Sequence, residues 1–488
     1  MISSRSLRLV AATVAIVILG GCMVGPNYRR PEVQVPENHR SLEGPPPEES
    51  LADVPWWQVF DDPALQSLIR EAVAANHDLR IAAARVMEAR AQAGVARSFL
   101  FPEIGASGGY TARQAPRLSD PPQGGADKTH QNWDLEAFLS WEIDLFGRIR
   151  REKQAAVARY LGTEEGRRGV LISLVGEVAS TYFSLRELDL ELEIARRTLV
   201  LNDETITFYK NRLAGGVSNR LELDQAQANR AITAATIPDI ERRIALTENA
   251  LSVLLGRLPG PILRGSVLSD QHFPPRVPAG IPAALLERRP DVLQAEQLLA
   301  AANADVGAAR ALFFPTISLS GAIGGLSHDL SDITNGNSVF WSLGAGIFQP
   351  LFQGGRIRRN YEATQARFEG AVAQYQRAAL NGYREVADSL VTIEKLAQAR
   401  VEQEKGVVAL QDAATLSRSR YDNGLSNYLE ILIADQALFQ QELSLARTRG
   451  GELQALAQLY RALGGGWQQE APAGTPKAGA GPGNEAKP

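Results

Sequence analysis

The sequence contains two copies of one unit, and no other feature restricts the possible folds as strongly. Three segments of the first half return in the second half in the same order, displaced by 206 to 213 residues. Preserved order and spacing indicate an internal duplication, because chance matches would keep neither. The paired segments are Phe101–Ile104 with Phe314–Ile317, Leu145–Arg148 with Leu351–Arg356, and Arg212–Glu222 with Arg420–Glu430. Each copy is predicted to contain two strands followed by two long helices.

The strand from Trp133 to Ile143 has the clearest pattern. Every odd position is apolar, and the even positions are polar or acidic except Phe138. Alternation over about 9–11 residues with aromatic side chains on the apolar face is typical of a membrane-barrel strand. We therefore expect four acids to face the lumen: Asp134, Glu136, Glu142 and Asp144. The edge strand of a soluble β-sandwich is the alternative interpretation.

Three weaker strands are rich in Gly and Ser and cover residues 104–110, 317–323 and 340–348. The stretches between the paired strands, 111–131 and 326–338, carry Pro, Gly, Asp and Asn and predict solvent loops.

The helices are predicted to be unusually long. No proline occurs between Arg148 and Leu213, which allows a helix of about 66 residues and about 100 Å. Apolar residues at every seventh position from Leu171 to Leu213 predict a coiled-coil seam that must bury against other helices. Residues 221–255 should return as the antiparallel partner, kinked at Pro238. The second copy repeats this arrangement over 356–421 and 425–463.

The N-terminus resembles that of a bacterial lipoprotein. Arg5 and Arg8 precede an apolar run, Leu9–Leu19, which is shorter than the roughly 20 residues that span a bilayer. Residues 1–21 therefore predict a signal peptide. The only cysteine, Cys22, follows as in a lipobox, which implies acylation of Cys22, and Met23 favours sorting to the outer membrane. An ordinary signal peptide followed by a chance cysteine is the alternative.

Composition argues against several classes of function. The 55 acidic and 51 basic residues nearly cancel, so no basic field is available for nucleic acid. One Cys, five His and three Met offer no disulfide framework and little for a metal site. Nucleotide-loop, zinc-protease and serine-hydrolase motifs are absent from the sequence, so we expect no enzyme activity and no cofactor.

Four strands cannot form a membrane barrel alone. A sheet in lipid must close, because each unpaired backbone group costs several kcal/mol there. The smallest membrane barrels have about eight strands and a filled interior. The chain is therefore expected to combine with further copies into a tube, with a β-barrel at one end and a helical conduit at the other.

The chain resembles the outer-membrane factors of tripartite efflux systems, the TolC/OprM/NodT type, over nearly its whole mature length. The residues that carry this resemblance are the duplicated segments together with Gly25–Pro31, Trp56–Leu65, Asn76–Leu79, Arg288–Val292, Ala295 and Glu296. The resemblance implies a mainly α-helical fold with membrane β strands. It implies a homotrimer, a shared 12-stranded barrel with four strands per chain, and an α-helical periplasmic barrel. A periplasmic adaptor and an inner-membrane RND-type transporter are the implied partners.

The resemblance also implies a periplasmic gate at the helical tips, formed by Glu222, Tyr421, Leu429, Glu430 and Ile433. Glu222 matches the partner of the gate tyrosine. Ser426 stands where some relatives carry a linking arginine, and Ile433 replaces a common second ring acid, so we expect a weaker cation block. Alternatively, Glu222 and Glu430 are solvated carboxylates at helix starts, where the helix dipole favours them.

Two turns at the same end are expected to receive the adaptor. Their residues are Gly215, Gly216, Val217 and Ser218 in the first turn and Asn423, Gly424, Leu425 and Ser426 in the second turn. Ordinary turn chemistry, which glycine satisfies without a partner, is the alternative.

The predicted organisation follows the duplication. A signal peptide (1–21) precedes a lipidated periplasmic segment (22–61) and the first repeat (62–256), with a β-hairpin at 101–146 and a helical hairpin at 148–256. A connector (257–283) leads to the second repeat (284–463), with a β-hairpin at 314–352 and a helical hairpin at 355–463. The C-terminal segment (464–488) is expected to be disordered from about residue 471.

The sequence therefore predicts a passive exit duct in the outer membrane, lipid-anchored at the periplasmic face, that exports drugs or other small toxic compounds. A duct for type I protein secretion or metal-ion efflux is the alternative within transport. A non-conducting coiled-coil scaffold lipoprotein is the alternative of another class.

Overall fold

The computed structural model describes residues 23–40, 50–114, 129–271 and 278–465. The predicted signal peptide, Cys22 and the predicted disordered tail lie outside the described residues, as does most of the loop between the first two strands.

The described elements alternate between helices and strand pairs, as the duplication predicts. Four short helical segments and two four-residue helices connect the main elements, which are α1 (Pro63–Ala75), α2 (His77–Ser98), β1 (Glu103–Gln114), β2 (Thr129–Ile143), α3 (Arg148–Ala214), α4 (Arg220–Leu254), α5 (Pro290–Ala311), β3 (Thr316–Ser327), β4 (Val339–Phe348), α6 (Arg356–Asp422) and α7 (Tyr428–Ala462). The long helices begin and end within about three residues of the predicted bounds. Pro238 lies inside α4.

The two paired loops are shorter than the sequence predicted. β1 continues to Gln114 and β2 begins at Thr129, where Thr111 pairs with Asn132 and Ala112 with Gln131. β3 likewise continues to Ser327. The ladder hydrogen bonds of an antiparallel pair favour extended backbone even for Gly and polar residues, which the loop composition did not reveal.

The four strands form one antiparallel sheet in the order β1-β2-β3-β4, so that β1 and β4 are its edges. One face is apolar and includes Tyr110, Trp133, Leu139, Ile317 and Trp341. The opposite face carries mostly small and polar residues, among them Glu103, Gly105, Ser107, Gly109, Asp134, Glu136, Ser140, Glu142, Ser318, Ser320, Ser342, Gly344 and Gly346, together with the apolar Phe138, Leu326, Phe340 and Phe348. Much of the apolar face is exposed, with Trp341 at 76% and Leu343 at 79%.

The chain divides into two compact units, and each takes segments from both repeats. The first unit (1–33, 82–166 and 291–378) contains the sheet and a small buried cluster of alanines where α3 packs on α5: Ala155, Ala158, Ala301 and Ala304. Alanine side chains allow helix axes to approach closely, so this packing needs no large apolar residue.

An N-terminal strap, residues 23–31, is also part of the first unit. The Arg30 guanidinium binds both carboxylate oxygens of the buried Glu296, at 2.7 and 2.6 Å. Tyr28 donates to the same carboxylate, and Arg151 binds the Val24 and Gly25 carbonyls. Two of the segments that carried the family resemblance therefore bind each other.

The second unit (34–81, 167–290 and 379–488) contains the main hydrophobic core. It is built from side chains of α1, α3, α4, α6 and α7, such as Ile69, Val178, Leu251, Val386 and Leu456. Many heptad positions of α3 lie in it or in the smaller clusters that follow along the helix.

Asp62 fastens the start of α1 to this core. Its carboxylate is fully buried and accepts hydrogen bonds from the Ala64 and Leu65 amides at the helix start. It also accepts from the Tyr182 hydroxyl at 2.8 Å and the Gln271 amide at 2.7 Å. A buried carboxylate is stable only with several such donors, which explains an acid in this position.

No helix in the described ranges combines the length and the apolar content that crossing a bilayer would require.

Candidate functional site

The turns that join the two helical hairpins have the same backbone structure. In the first turn the Gly215, Gly216 and Val217 amides donate to the Asn211, Leu213 and Arg212 carbonyls. In the second turn the amides of residues 423, 424 and 425 make the same three bonds to residues 419, 421 and 420. Gly216 and Gly424 adopt φ of 71° and 72°, which few residues other than glycine adopt readily.

The side chains at the two turns differ where Tyr421 replaces the repeat-equivalent Leu213. The Tyr421 hydroxyl lies 3.4 Å from Glu222 Oε2 and joins the second hairpin to the first. Ser218 of the first turn donates to the same carboxylate oxygen. The structure thus brings together two of the predicted gate residues from opposite repeats.

An aromatic cluster supports this contact. Tyr209 of α3 is buried, and its ring lies 5.7 Å from that of Tyr421 and 4.6 Å from that of Tyr428. Burial and a hydrogen bond to Tyr421 raise the pKa of Tyr209 well above its usual range. Burial also raises the pKa of Tyr428, to about 12, so these phenols stay neutral at physiological pH.

The other predicted gate residues are arranged differently. Among the described residues, the Glu430 carboxylate makes no hydrogen bond across the hairpins, and it accepts instead from Arg420 Nε at 3.3 Å within the second hairpin. Leu429 and Ile433 are exposed in the single chain, at 49% and 58%. Their assignment to the gate stays a prediction.

The predicted docking residues lie on exposed turn surface, apart from Ser218 and Ser426, which are half-buried. Val217 and Leu425 occupy equivalent places and are 64% and 69% exposed. Paired apolar side chains on solvent-exposed turns are available to a partner, but their role stays a prediction.

The four strand acids do not form one equivalent set. Asp134, Glu136 and Glu142 share the small, polar face of the sheet. Glu142, however, binds the Arg148 guanidinium at 2.8 Å. Asp144 lies beyond the end of β2, where it accepts from the Ile149 and Arg150 amides at the start of α3 and binds the Arg150 side chain. The prediction that Asp144 is a strand acid is therefore wrong, because the start of the following helix needs a capping acceptor.

Sequence reasoning missed a polar network near the turns, in which Asn202, Asn229 and Thr233 are buried and Gln436 is exposed. Asn202 donates to Thr233, Asn229 donates to Asn202, and Gln436 of the second hairpin donates to Asn229, at 3.0 to 3.1 Å. Buried amides in a coiled coil fix its register. The signal was available in the sequence as polar residues interrupting an apolar helix pattern.

The described residues contain no group of three or more His, Cys, Asp or Glu side chains placed to hold a metal ion.

Comparison with known proteins identifies the family. The model of the outer membrane efflux protein family matches residues 68–257 and 281–465. The solvent efflux pump outer membrane protein SrpC of Pseudomonas putida is 36% identical over 93% of this chain and 97% of its own length. The cation efflux system protein CusC of Escherichia coli is 34% identical over 95% and 99%. The crystal structure of the open state of the Neisseria gonorrhoeae MtrE outer membrane channel superposes with a TM-score of 0.83 at 29% identity, over 92% of this chain and 99% of that one.

The chain belongs to the outer membrane efflux protein family. Its fold is the predicted TolC-like fold, mainly helical with four antiparallel strands per chain. The predictions of an outer-membrane location and of the channel component of a tripartite efflux pump are confirmed. The scaffold alternative receives no support.

Proposed function

We propose that the chain acts as a homotrimeric, passive exit duct, without catalytic chemistry of its own, whose periplasmic end is gated by the contact of Tyr421 with Glu222. The duct conducts small toxic organic compounds that a separate pump drives, and the turns at 215–218 and 423–426 receive a periplasmic adaptor.

The observation that carries this proposal is the two-faced sheet with open edges. Much of its apolar face is exposed, whereas its other face carries mostly Gly, Ser and acidic residues, with Phe138, Leu326, Phe340 and Phe348 as apolar exceptions. The edge strands β1 and β4 each leave one row of backbone groups without a neighbouring strand among the described residues. In hydrocarbon these groups need partners, and three copies would supply 12 strands around a polar lumen, with lipid outside.

The hairpin contacts support the position of the gate. Tyr421 and Glu222 join the hairpins at their tips, where separation of the hairpins would widen an enclosed passage. A hydrogen bond to a carboxylate contributes roughly 1 kcal/mol or more, and a trimer would contain three such bonds, one in each chain.

The test measures single-channel currents of the purified full-length protein in planar bilayers. Tyr421→Phe removes only the hydroxyl, and with it the hydrogen bonds to Glu222 and Tyr209. The lost bond to Glu222 should raise the open-to-closed ratio about fivefold per chain. Tyr428→Phe, in the same aromatic cluster, is the matched control and should leave the ratio unchanged. An unaltered ratio in Tyr421→Phe contradicts the gate, and a protein that never conducts contradicts the duct.

The same bilayers test ion preference. Asp134 and Glu136 carry no arginine partner in the described part of the chain and would place negative charge on the lumen face. We expect a reversal potential that indicates cation preference. Anion preference would contradict a lumen position for these acids.

Metal-ion efflux is the second candidate, because CusC, a cation efflux system protein, is 34% identical. Deletion of this chain in its host separates the two candidates. Sensitivity to toluene and hydrophobic antibiotics is expected, whereas sensitivity confined to copper and silver salts would favour the second candidate.

A further inference from the structure

Two arginines in equivalent places of the duplicated turns have different partners. Arg420 binds Glu430 within its own hairpin at 3.3 Å. Arg212 is its repeat equivalent, and Glu222 is the equivalent of Glu430. Yet Arg212 forms no ion pair within the described part of the chain. Its guanidinium instead lies over the ring of Tyr421 at 5.3 Å and over that of Phe208 at 5.4 Å.

The backbone does not cause this difference, because both turns make the same three hydrogen bonds and contain one glycine at the same φ. An arginine at position 212 can therefore reach the carboxylate at position 222 as Arg420 reaches Glu430. The difference is Tyr421, which stands where the first repeat has Leu213. Its hydroxyl engages Glu222, and its ring engages Arg212.

The serines of the two turns also differ in their partners. Ser218 donates to Glu222, which has no arginine partner among the described residues. Its equivalent, Ser426, has a buried hydroxyl without a hydrogen-bond partner in the same described ranges, because Glu430 is held by Arg420. The second hairpin thus displays the arrangement that the first hairpin would take without Tyr421.

We propose that Arg212 is a positioning residue of the gate and exchanges partners when the gate opens. This inference rests on the proposed gate function of Tyr421 and Glu222. With the hairpins together, Tyr421 separates Arg212 from Glu222. With the hairpins apart, Arg212 binds Glu222 as Arg420 binds Glu430. In the open state the Arg212 guanidinium and the Glu222 carboxylate then compensate each other. The gate therefore has two discrete arrangements, and both groups have a partner in each of them.

A double-mutant cycle on the full-length protein in planar bilayers tests the exchange. The open-to-closed ratio is measured for the native protein, Arg212→Gln, Glu222→Gln and the double variant. The coupling is the open-to-closed ratio of the native protein times that of the double variant, divided by the product of the ratios of the two single variants. Because the pair forms only in the open state, this coupling should be about two- to fivefold per chain, the usual strength of an exposed ion pair. A second cycle starts from Arg212→Lys instead of the native protein. It should retain this coupling, because lysine still pairs with Glu222.

Two controls sharpen the cycle. In a Tyr421→Ala background the pair can form in both states, so the coupling should fall to about one. The cycle of Arg420→Gln with Glu430→Gln should also give about one, because that pair exists already with the hairpins together. Each variant is first checked for the assembled, heat-sensitive oligomer. Tyr421→Leu, which places the residue of the first repeat at this position and also removes the ring over Arg212, replaces Tyr421→Ala should the latter not assemble.

The outcomes separate the two proposals. Coupling of about one in the native background, with Tyr421→Ala still opening the channel, overturns the exchange alone. A Tyr421→Ala channel with an unchanged open fraction overturns the gate, and the exchange with it. Coupling in the native background that disappears without Tyr421 supports both.

Discussion

At the scale of single residues, two neighbouring carboxylates on α3 have very different surroundings. Glu191 is fully buried and binds Arg447 at 2.6 Å and Arg243 at 3.0 Å. Glu187, one turn earlier, receives the Gln454 amide at 3.1 Å. Burial, and secondarily the charge of Glu191, raise the pKa of Glu187 to about 7. Glu187 therefore changes charge near neutral pH.

This difference predicts how stability depends on pH. A carboxyl with a pKa of about 7 in the folded chain and 4.5 in the unfolded chain holds its proton more tightly when folded, so stability falls as pH rises from 4.5 to 7. Glu187→Gln should therefore stabilise the protein at pH 8, by an order of 1 kcal/mol after allowance for solvent screening, and less at pH 5.

Thermal unfolding followed by circular dichroism at the two pH values measures the effect. Glu193→Gln, at an exposed position on the same helix, is the matched control and should show no such difference. Equal gains for Glu187→Gln at pH 5 and pH 8 would contradict the raised pKa.

The sequence predicted the contact between Glu222 and Tyr421, because both match a family motif at duplicated positions, and their role in a gate stays a prediction. The other contacts around this pair were not predicted. The contact of Arg212 with Tyr421, and the pairing of Gln436 with Asn229, join residues about 200 positions apart. Such contacts depend on how the two hairpins pack, and no local pattern in either helix encodes that packing.

At the scale of elements, the sheet shows why its strands were harder to predict than the helices. Gly105 lies opposite Phe138 in the β1–β2 ladder, and a Cβ at Gly105 would stand 2.3 Å from the Phe138 ring. The ring thus covers the glycine, which explains the one apolar residue among the even positions of β2. In β1 the glycines conceal the alternation, because they contribute no side chain to either face.

Enlarging Gly105 should therefore weaken the sheet. Gly105→Ala forces the Phe138 ring aside and is expected to cost about 1 kcal/mol or more, seen as a lower temperature at which the oligomer dissociates on gels. Gly108→Ala, whose Cβ would meet its nearest neighbour at 3.5 Å, is the control and should be neutral. Adding Phe138→Ala to Gly105→Ala should restore part of the loss, and no recovery would refute the steric explanation.

The N-terminal strap is the second element with a testable role. Glu296→Gln removes the charge that holds Arg30, and the strap should detach more often because a charge-assisted pair is replaced by neutral hydrogen bonds. Trypsin cleavage between Arg29 and Arg30 should accelerate severalfold. Glu32→Gln, at an exposed position beside the strap, serves as control. Unchanged cleavage in Glu296→Gln would show that the ion pair does not hold the strap.

Long helices were predicted closely because a proline-free stretch, a heptad pattern and terminal glycines all mark the same bounds. The end of β2 at Ile143 was also predicted, but the role of Asp144 was not, since this residue continues the alternation beyond the strand although it caps the next helix. A period-two pattern cannot distinguish the last residue of a strand from a capping residue.

At the scale of the whole molecule, the open edges of the sheet make a prediction about assembly. Within the chain, Phe138 of β2 pairs with Ala322 of β3. The duplication places Gly344 and Gly109 in the equivalent positions on β4 and β1. If copies join edge to edge as β2 joins β3, then Gly344 of one copy lies beside Gly109 of the next, or beside Thr111 on the same face if the register shifts by two.

Cysteine cross-linking tests this pairing, and the sequence has only one natural cysteine, Cys22. Gly344→Cys combined with Gly109→Cys, or with Thr111→Cys, should give linked dimers and trimers and no larger species. Ala322→Cys with Ser342→Cys, which pair within one chain, should stay monomeric on denaturing gels. A ladder that continues beyond three copies would contradict a closed ring of three.

The unpaired borders of β1 and β4 also have a genetic consequence. One defective chain would impair a whole ring of three, because each chain pairs with both of its neighbours in the wall of the barrel. In a cell that makes native and defective copies in equal amounts, random mixing would leave only about one assembly in eight wholly native. Mutations at these borders or at the helical tips should therefore be dominant, even though the native allele is still expressed.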